Sequence, residues 1–285
     1  MATEFLLVPV VAWWLLNRAI RFGLCAERLP SAQEPDGLPW QMARVPTRNG
    51  KHLSGWFIPA ARPGPGPALV LMHGWGGNAQ TMLPLAGPLH AAGYALLLLD
   101  ARCHGGSDED SFASLPRFAE DIEAGLAWLE QRPEIDPARL GLVGHSVGAG
   151  AALLVASRRP GLGAVVSLAA FAHPATMMRR WLASMHIPYW PLGAYVLAYV
   201  QRVIGHRFDD IAPCNTIRQL SCPVLLVHGL SDTTVPAAEA RQILAAACHD
   251  GVELLEVAGT HDDFGDIESH LPQLRDFLDR AFGRR

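Results

Sequence analysis

Residues 139–159 read RLGLVGHSVGAGAALLVASRR. The apolar run Leu140 to Val143 ends in Gly144-His145-Ser146-Val147-Gly148, and a helix of small residues follows at once. The pattern is strand, sharp turn, helix, with Ser146 at the apex. Glycine at 144 and 148 suits a turn whose backbone comes against neighbouring chain, where a Cβ would clash. Ala149, Gly150, Ala151 and Ala152 let the helix lie close on a sheet. The spacing predicts Ser146 Oγ held above the sheet in a strained backbone conformation, with the unpaired N–H groups of a helix N-terminus behind it.

Outward from this stretch the chain alternates. Apolar runs fall at Ala68 to Met72, Tyr94 to Leu99, Leu140 to Val143, Ala164 to Ala169, Val224 to Val227 and Leu254 to Val257. Helical stretches lie between most of them, at about 79–92, 115–131, 146–158, 236–248 and 270–282. Strands apolar on both faces, alternating with helices, predict an α/β fold whose parallel sheet is covered on both sides. Ahead of this region, Trp40 to Thr47 and Leu53 to Ile58 flank a turn at Asn49-Gly50 and read as a hairpin. Functional sites in such sheets sit at the carboxyl ends of the strands.

Four loops fall at those ends. His73-Gly74-Trp75-Gly76-Gly77-Asn78 follows the strand ending at Met72 and can aim backbone N–H groups into a site without intervening side chains. If Ser146 attacks a carbonyl, the N–H of Val147 and that of Trp75 are the natural donors to the developing oxyanion. Asp100-Ala101-Arg102-Cys103-His104-Gly105-Gly106-Ser107-Asp108 follows the next strand. It reads as structural support, with an Arg102–Asp108 ion pair as its brace, rather than as a source of catalytic groups from Asp100 or His104. His228 to Pro236 carries Asp232, and Gly259 to Asp263 carries His261. An acid on one strand-end loop and a histidine on the next can meet beside the serine. Asp232 would orient His261, and His261 Nε2 would take the Ser146 proton.

HGWGGN, DARCHGGSD, GHSVGA, HGLSDTTVP and GTHDD, in that order, resemble the motifs of the α/β-hydrolase superfamily, and the likeness runs from about Trp40 to the C-terminus. In detail the chain is similar to bacterial esterase-like and serine-aminopeptidase-like members that carry an N-terminal apolar helix. The resemblance implies an α/β-hydrolase fold with a mostly parallel eight-stranded sheet, helices on both faces and a short helical lid. It implies a triad of Ser146, Asp232 and His261, and an oxyanion hole of Trp75 and Val147. A serine rather than an aspartate at the turn disfavours haloalkane dehalogenase and epoxide hydrolase chemistry.

Substrate choice is expected in residues 171–213, between the strands at 164–169 and 224–227. That insertion is rich in aromatic residues and methionine, and Trp181, Met185, Trp190 and Tyr195 are the candidate substrate-binding residues. An apolar acyl group is the expected fit. The expected enzyme is therefore a serine hydrolase acting on carboxylic esters or thioesters of apolar acyl groups, with a lipase or acyl-protein thioesterase as its sharper form. The alternatives are a serine peptidase of the aminopeptidase type, which would want an acid for the substrate's ammonium group, and a non-catalytic binding protein on the same fold.

The N-terminus departs from the pattern. Phe5 to Leu16 (FLLVPVVAWWLL) is twelve uncharged residues between Glu4 and the arginines 18 and 21. That is short of the roughly 20 residues a spanning helix needs, and neither a preceding positive charge nor a cleavage site marks a secretory signal. Residues 1–29 are expected to form an apolar helix that anchors the protein to a membrane surface through 5–24, spanning or interfacial, with a cytoplasmic catalytic domain. The bland alternative is a helix packed on a soluble cytoplasmic protein. Residues 30–39 read as a Pro-rich linker and 40–285 as the catalytic domain. A formal net charge of −4 gives no basic stripe for nucleic acid. The five scattered cysteines indicate neither a disulfide framework nor a zinc site, so no metal or cofactor is expected.

Overall fold

The structure is a computed structural model that describes residues 2–263 and 267–283, with side chains described for 10–263 and 270–283. Among the described residues, eight strands form one sheet: β1 Gln41–Pro46, β2 His52–Ile58, β3 Gly66–Met72, β4 Ala95–Leu99, β5 Ile135–His145, β6 Ala164–Leu168, β7 Val224–Gly229 and β8 Val252–Val257. Their order is β1-β2-β4-β3-β5-β6-β7-β8, and β2 alone runs against its neighbours. The helices are α1 Ala2–Gly23, α2 Leu83–Ala91, α3 Leu115–Glu130, α4 Val147–Arg158, α5 Pro174–Ser184, α6 Ala194–Ile204, α7 Phe208–Ile211, α8 Pro213–Thr216, α9 Ala238–Ala246 and α10 Ile267–Ala281.

The two-residue period of the strands sorts their side chains into two cores. Val70, Leu97, Leu142 and Val165 point to the face covered by α3 and α4. Leu69, Leu71, Leu96, Leu98, Val143 and Val166 point to the face covered by α2 and α10. The β1–β2 turn is as the Asn49-Gly50 pair predicts, with both residues in the left-handed region at φ 59° and 65°.

The loop after β4 is braced differently from the expectation. Arg102, almost wholly buried, reaches Asp121 at 2.7 Å, Glu120 at 2.5 Å and Asp110 at 3.3 Å, and donates to the Arg117 carbonyl at 3.1 Å. Asp108 instead accepts from the His52 N–H at 2.8 Å. The physical reason is burial: a guanidinium out of water needs several acceptors, and α3 supplies them where Asp108, on the exposed side of the loop, cannot.

The N-terminal segment is fastened to the domain by hydrogen bonds. Helix α1 divides in two. Val10 through Leu15 are exposed, whereas Leu16, Asn17, Ile20 and Leu24 form one stripe that faces the domain. Asn17 is buried and accepts from Tyr195 Oη at 2.7 Å, and Arg21 Nε donates to Tyr199 Oη at 3.0 Å, so the second half of α1 is fastened to α6. The following residues cross the loops after β3 and β4. Leu24 O accepts from the Ala113 N–H at 2.8 Å, Arg28 donates to Ser107 O at 2.8 Å, and Asn78 donates to Leu29 O at 2.9 Å. Gln80 Oε1 then accepts from the Ala32 and Gln33 N–H groups at 2.6 and 3.0 Å. Among the described residues, no helix is long and apolar enough to cross a membrane.

Candidate active site

The turn at Ser146 is built by absence of side chains. Ser146 sits at φ 52° and ψ −114°, a conformation L residues rarely adopt. A Cβ on Gly144 would lie 2.3 Å from Gly148 O, and one on Gly148 would lie 2.4 Å from His73 O and 2.5 Å from Met72 O. The Ser146 N–H donates to Leu168 O at 2.8 Å and its carbonyl accepts the Gly150 N–H at 3.1 Å, which fixes the turn to β6 and starts α4.

Ser146, Asp232 and His261 come together at the carboxyl ends of β5, β7 and β8. Ser146 Oγ lies 3.0 Å from His261 Nε2, and His261 Nδ1 lies 2.7 Å from Asp232 Oδ2. The Asp232 side chain is fully buried and its second oxygen accepts from the N–H groups of Thr234 and Val235 at 2.9 and 2.7 Å. With Asp232 Oδ2 accepting, Nδ1 carries the imidazole hydrogen, and Nε2 offers a lone pair to the serine hydroxyl. Asp262, next to His261 in the sequence, is exposed and outside this chain of bonds.

Val147 opens α4, so its N–H belongs to the first turn, where helical N–H groups have no intrahelical acceptor. Trp75, on the loop after β3, lines the same cavity as Val147. Gly74 lets that loop close on the serine: a Cβ there would be 3.1 Å from Ser146 Cβ. The loop is held by His73, whose Nδ1 donates to Gly74 O at 2.6 Å and whose Nε2 accepts the Ala101 N–H at 3.0 Å. Complete burial, then the nearby His104, press the His73 pKa down to about 3 and keep the ring neutral, while these two hydrogen bonds set its tautomer. Asp100 is structural, accepting from the Ala79 and Gly106 N–H groups at 2.6 and 2.7 Å while burial raises its pKa.

Ser146 and His261 open onto a cavity of about 810 Å³. Its wall is largely apolar, with Leu115, Phe171, Met177, Met178, Val200 and Ile204 among the lining residues. Of the candidate substrate-binding residues, Trp181 lines it, whereas Met185, Trp190 and Tyr195 do not. Helical phase explains the difference: α5 turns Met177, Met178 and Trp181 to one side, Met185 lies past its end, Trp190 is 78% exposed, and Tyr195 is turned toward α1. Arg180, on the same helix, is engaged with the buried Glu239 and with Thr234 O at 2.9 Å.

Three features escape a reading of motifs. His145 packs its ring 5.1 Å from that of His261 and donates from Nε2 to His261 O at 2.8 Å, and burial lowers its pKa. Its position beside the serine is the only sequence signal it carries. Asp262 and Asp263 line the cavity, as do Gly23 and Leu24 from the end of α1. His145, His261 and Asp262 also bring potential metal-ligand atoms within 4.8 Å of one another, but both His261 ring nitrogens are already engaged by Asp232 and Ser146.

The family model described as serine aminopeptidase, S33 (Hydrolase_4) matches residues 64–202. An uncharacterized protein of Mycobacterium tuberculosis, Rv2307c, is 30% identical over 236 residues, 82% of this chain and 76% of the relative. The chain belongs to the α/β-hydrolase superfamily. YfhR of Escherichia coli, also uncharacterized, is 27% identical over 255 residues, 84% of this chain and 81% of its own. A Pyrococcus furiosus esterase superposes with a TM-score of 0.73 at 23% identity, covering 90% of this chain and 97% of that one, which shows the shared fold. The chain is thus a hydrolase of the α/β-hydrolase type.

Proposed function

We propose that this α/β-hydrolase is a serine hydrolase that cleaves carboxylic esters or thioesters of apolar acyl groups through an acyl-enzyme. The observation that carries the reading is the Asp232–His261–Ser146 chain of hydrogen bonds, at 2.7 and 3.0 Å, at the mouth of a largely apolar cavity. As Ser146 Oγ attacks the carbonyl carbon, His261 Nε2 takes its proton and the C=O pair moves onto oxygen, where the Trp75 and Val147 N–H groups receive it. Collapse expels the alcohol or thiol, which leaves with the proton held by His261. Water then repeats the sequence against the acyl-enzyme, releasing the acid and restoring Ser146. A fluorophosphonate probe should label the wild type and not Ser146→Ala, and the wild type should turn over p-nitrophenyl esters. A probe that fails on the wild type, or turnover that survives in Ser146→Ala, refutes the reading.

A second reading, an aminopeptidase, draws support from Asp262 and Asp263 in the cavity wall, which would suit a substrate ammonium group, and from the family's description. Turnover of aminoacyl anilides that exceeds turnover of esters, and that falls in Asp262→Asn, would favour it.

The division of labour we propose gives residues 40–285 the chemistry and the exposed residues 10–15 of α1 an interfacial membrane contact. Val10, Val11, Trp13, Trp14 and Leu15 are each at least 45% exposed, and the exposed Arg18 lies over Trp14, where a cation suits anionic headgroups. Burying an apolar side chain is worth about 1.5–3 kcal/mol, so five of them give a lipid surface a strong hold. The wild type should float with anionic vesicles, and Trp13→Glu/Trp14→Glu should not. Wild-type protein that stays at the bottom of the gradient removes the membrane from the reading.

A further inference from the structure

We infer that the end of the N-terminal helix is a wall of the acyl cavity, and that Leu24 is a specificity-determining residue setting the length of acyl chain accepted. The inference rests on the proposed esterase reading and adds to it a determinant outside both the motif loops and the 171–213 insertion.

Three independent observations place this segment in the site. Gly23 and Leu24 line the same cavity as Ser146 and His261. The Leu24 carbonyl accepts from the Ala113 N–H at 2.8 Å, and Ala113, Ser114 and Leu115 are the lining residues that follow. On the other side a Cβ on Gly23 would stand 3.7 Å from Trp181 Cη2, so the helix end and α5 close on each other across the cavity rim. Leu24 therefore sits between two parts of the wall and is fixed to one of them through its backbone.

The segment is also held rigidly enough to act as a wall. Asn17 and Arg21 bind Tyr195 and Tyr199 on α6, while Arg28, Leu29, Ala32 and Gln33 bind the loops after β3 and β4. A tether that only joined an anchor to a catalytic domain would not be fastened on both sides of the active site. A leucine at this place offers apolar surface to methylenes, and a larger side chain there takes up room that methylenes would otherwise fill.

The test uses the full chain and compares kcat/KM for p-nitrophenyl acetate and p-nitrophenyl dodecanoate. Each methylene driven out of the cavity costs about fourfold. Leu24→Trp, displacing two or three methylenes, should lower kcat/KM for dodecanoate relative to acetate by roughly 15- to 60-fold. Leu24→Ala, which leaves room, should raise kcat/KM for dodecanoate relative to acetate, and it keeps the inference testable should Leu24→Trp fail to fold. Parallel profiles for the wild type and Leu24→Ala, or an equal loss on both esters in a folded Leu24→Trp, overturn the inference while leaving the esterase reading standing. Absence of turnover and of fluorophosphonate labelling in the wild type overturns both.

Discussion

Replacing Asp232 by asparagine isolates what one oxygen does. In the wild type, Oδ1 accepts two backbone N–H groups, from Thr234 and Val235, and Oδ2 accepts from His261 Nδ1 at 2.7 Å. Asparagine keeps the first set by turning its carbonyl oxygen to the backbone, so the loop after β7 retains its bonds. That orientation aims the amide NH₂ at His261 Nδ1, donor against donor. The imidazole relieves the conflict by moving its hydrogen to Nε2, where it faces Ser146 Oγ and can no longer accept the serine proton. His228 cannot rescue the arrangement, because its Nε2 already donates to Val235 O at 2.7 Å. In serine triads a wrong tautomer with intact geometry lowers kcat by about 10⁴, equivalent to about 5.4 kcal/mol of transition-state stabilisation. The assay is steady-state hydrolysis of a p-nitrophenyl ester by Asp232→Asn, with Asp262→Asn beside it and the thermal midpoint of each as a control for folding. Asp232→Asn should keep its midpoint within a few degrees and lose about four orders of magnitude in kcat, while Asp262→Asn stays within about threefold. An Asp232→Asn enzyme within tenfold of wild type would refute the reasoning, and a dead Asp262→Asn would move the acid to the other loop.

Gly148→Ala puts a Cβ 2.4 Å from His73 O, against backbone that cannot yield, and should cost at least about 2–3 kcal/mol, or about 4–12 °C in Tm by differential scanning calorimetry. Arg102→Leu leaves Asp121 buried without its cation and should cost about 3–5 kcal/mol by urea denaturation, with part of the loss recovered when Asp121→Leu is added. Burial lowers the pKa of His73 from 6.5 to about 3 and lowers those of His104 and His145 as well, so the unfolded chain takes protons that the folded one refuses. Stability should therefore fall as pH drops below about 6.5, each such histidine adding a slope of up to about 1.4 kcal/mol per pH unit and His73 doing so down to about pH 3. The His73 ring resonance in NMR should not titrate between pH 7 and 4.5, and a midpoint near 6 would contradict its buried environment.

The sheet was legible because its strands are apolar on both faces and its turns carry glycines whose absent Cβ atoms the fold requires. The runs at Ala68 to Leu71 and Leu140 to Val143 lie in register in neighbouring strands, and each motif loop leaves the sheet at a carboxyl end. Ser146, Asp232 and His261 were readable for the same reason: short loops on rigid strands leave their side chains little choice of place. What was not readable depends on contacts distant in sequence. The Arg102 network draws on α3, whose acids look from the sequence like an ordinary solvated face. Met185, Trp190 and Tyr195 have the right chemistry for an acyl pocket but the wrong helical phase or place, which only the packing of α5 and α6 decides. The Pro-rich stretch after α1 has no periodicity to read, and the hydrogen bonds from its Ala32 and Gln33 N–H groups to Gln80 join side chain and backbone with no local signature.

The fastening of α1 to α6 also sets an order of events during synthesis. Tyr199 follows Arg21 by 178 residues, and ribosomes add about 5–20 residues per second. The helix is complete for roughly 9–36 s before the tyrosine that holds it has been made. Helices form in about a microsecond, so α1 can be helical long before the segment that holds it has been made. An apolar surface met in that interval would compete with the chain's own later segments for the same residues. Which of them holds the helix first is settled while the cavity it will wall does not yet exist.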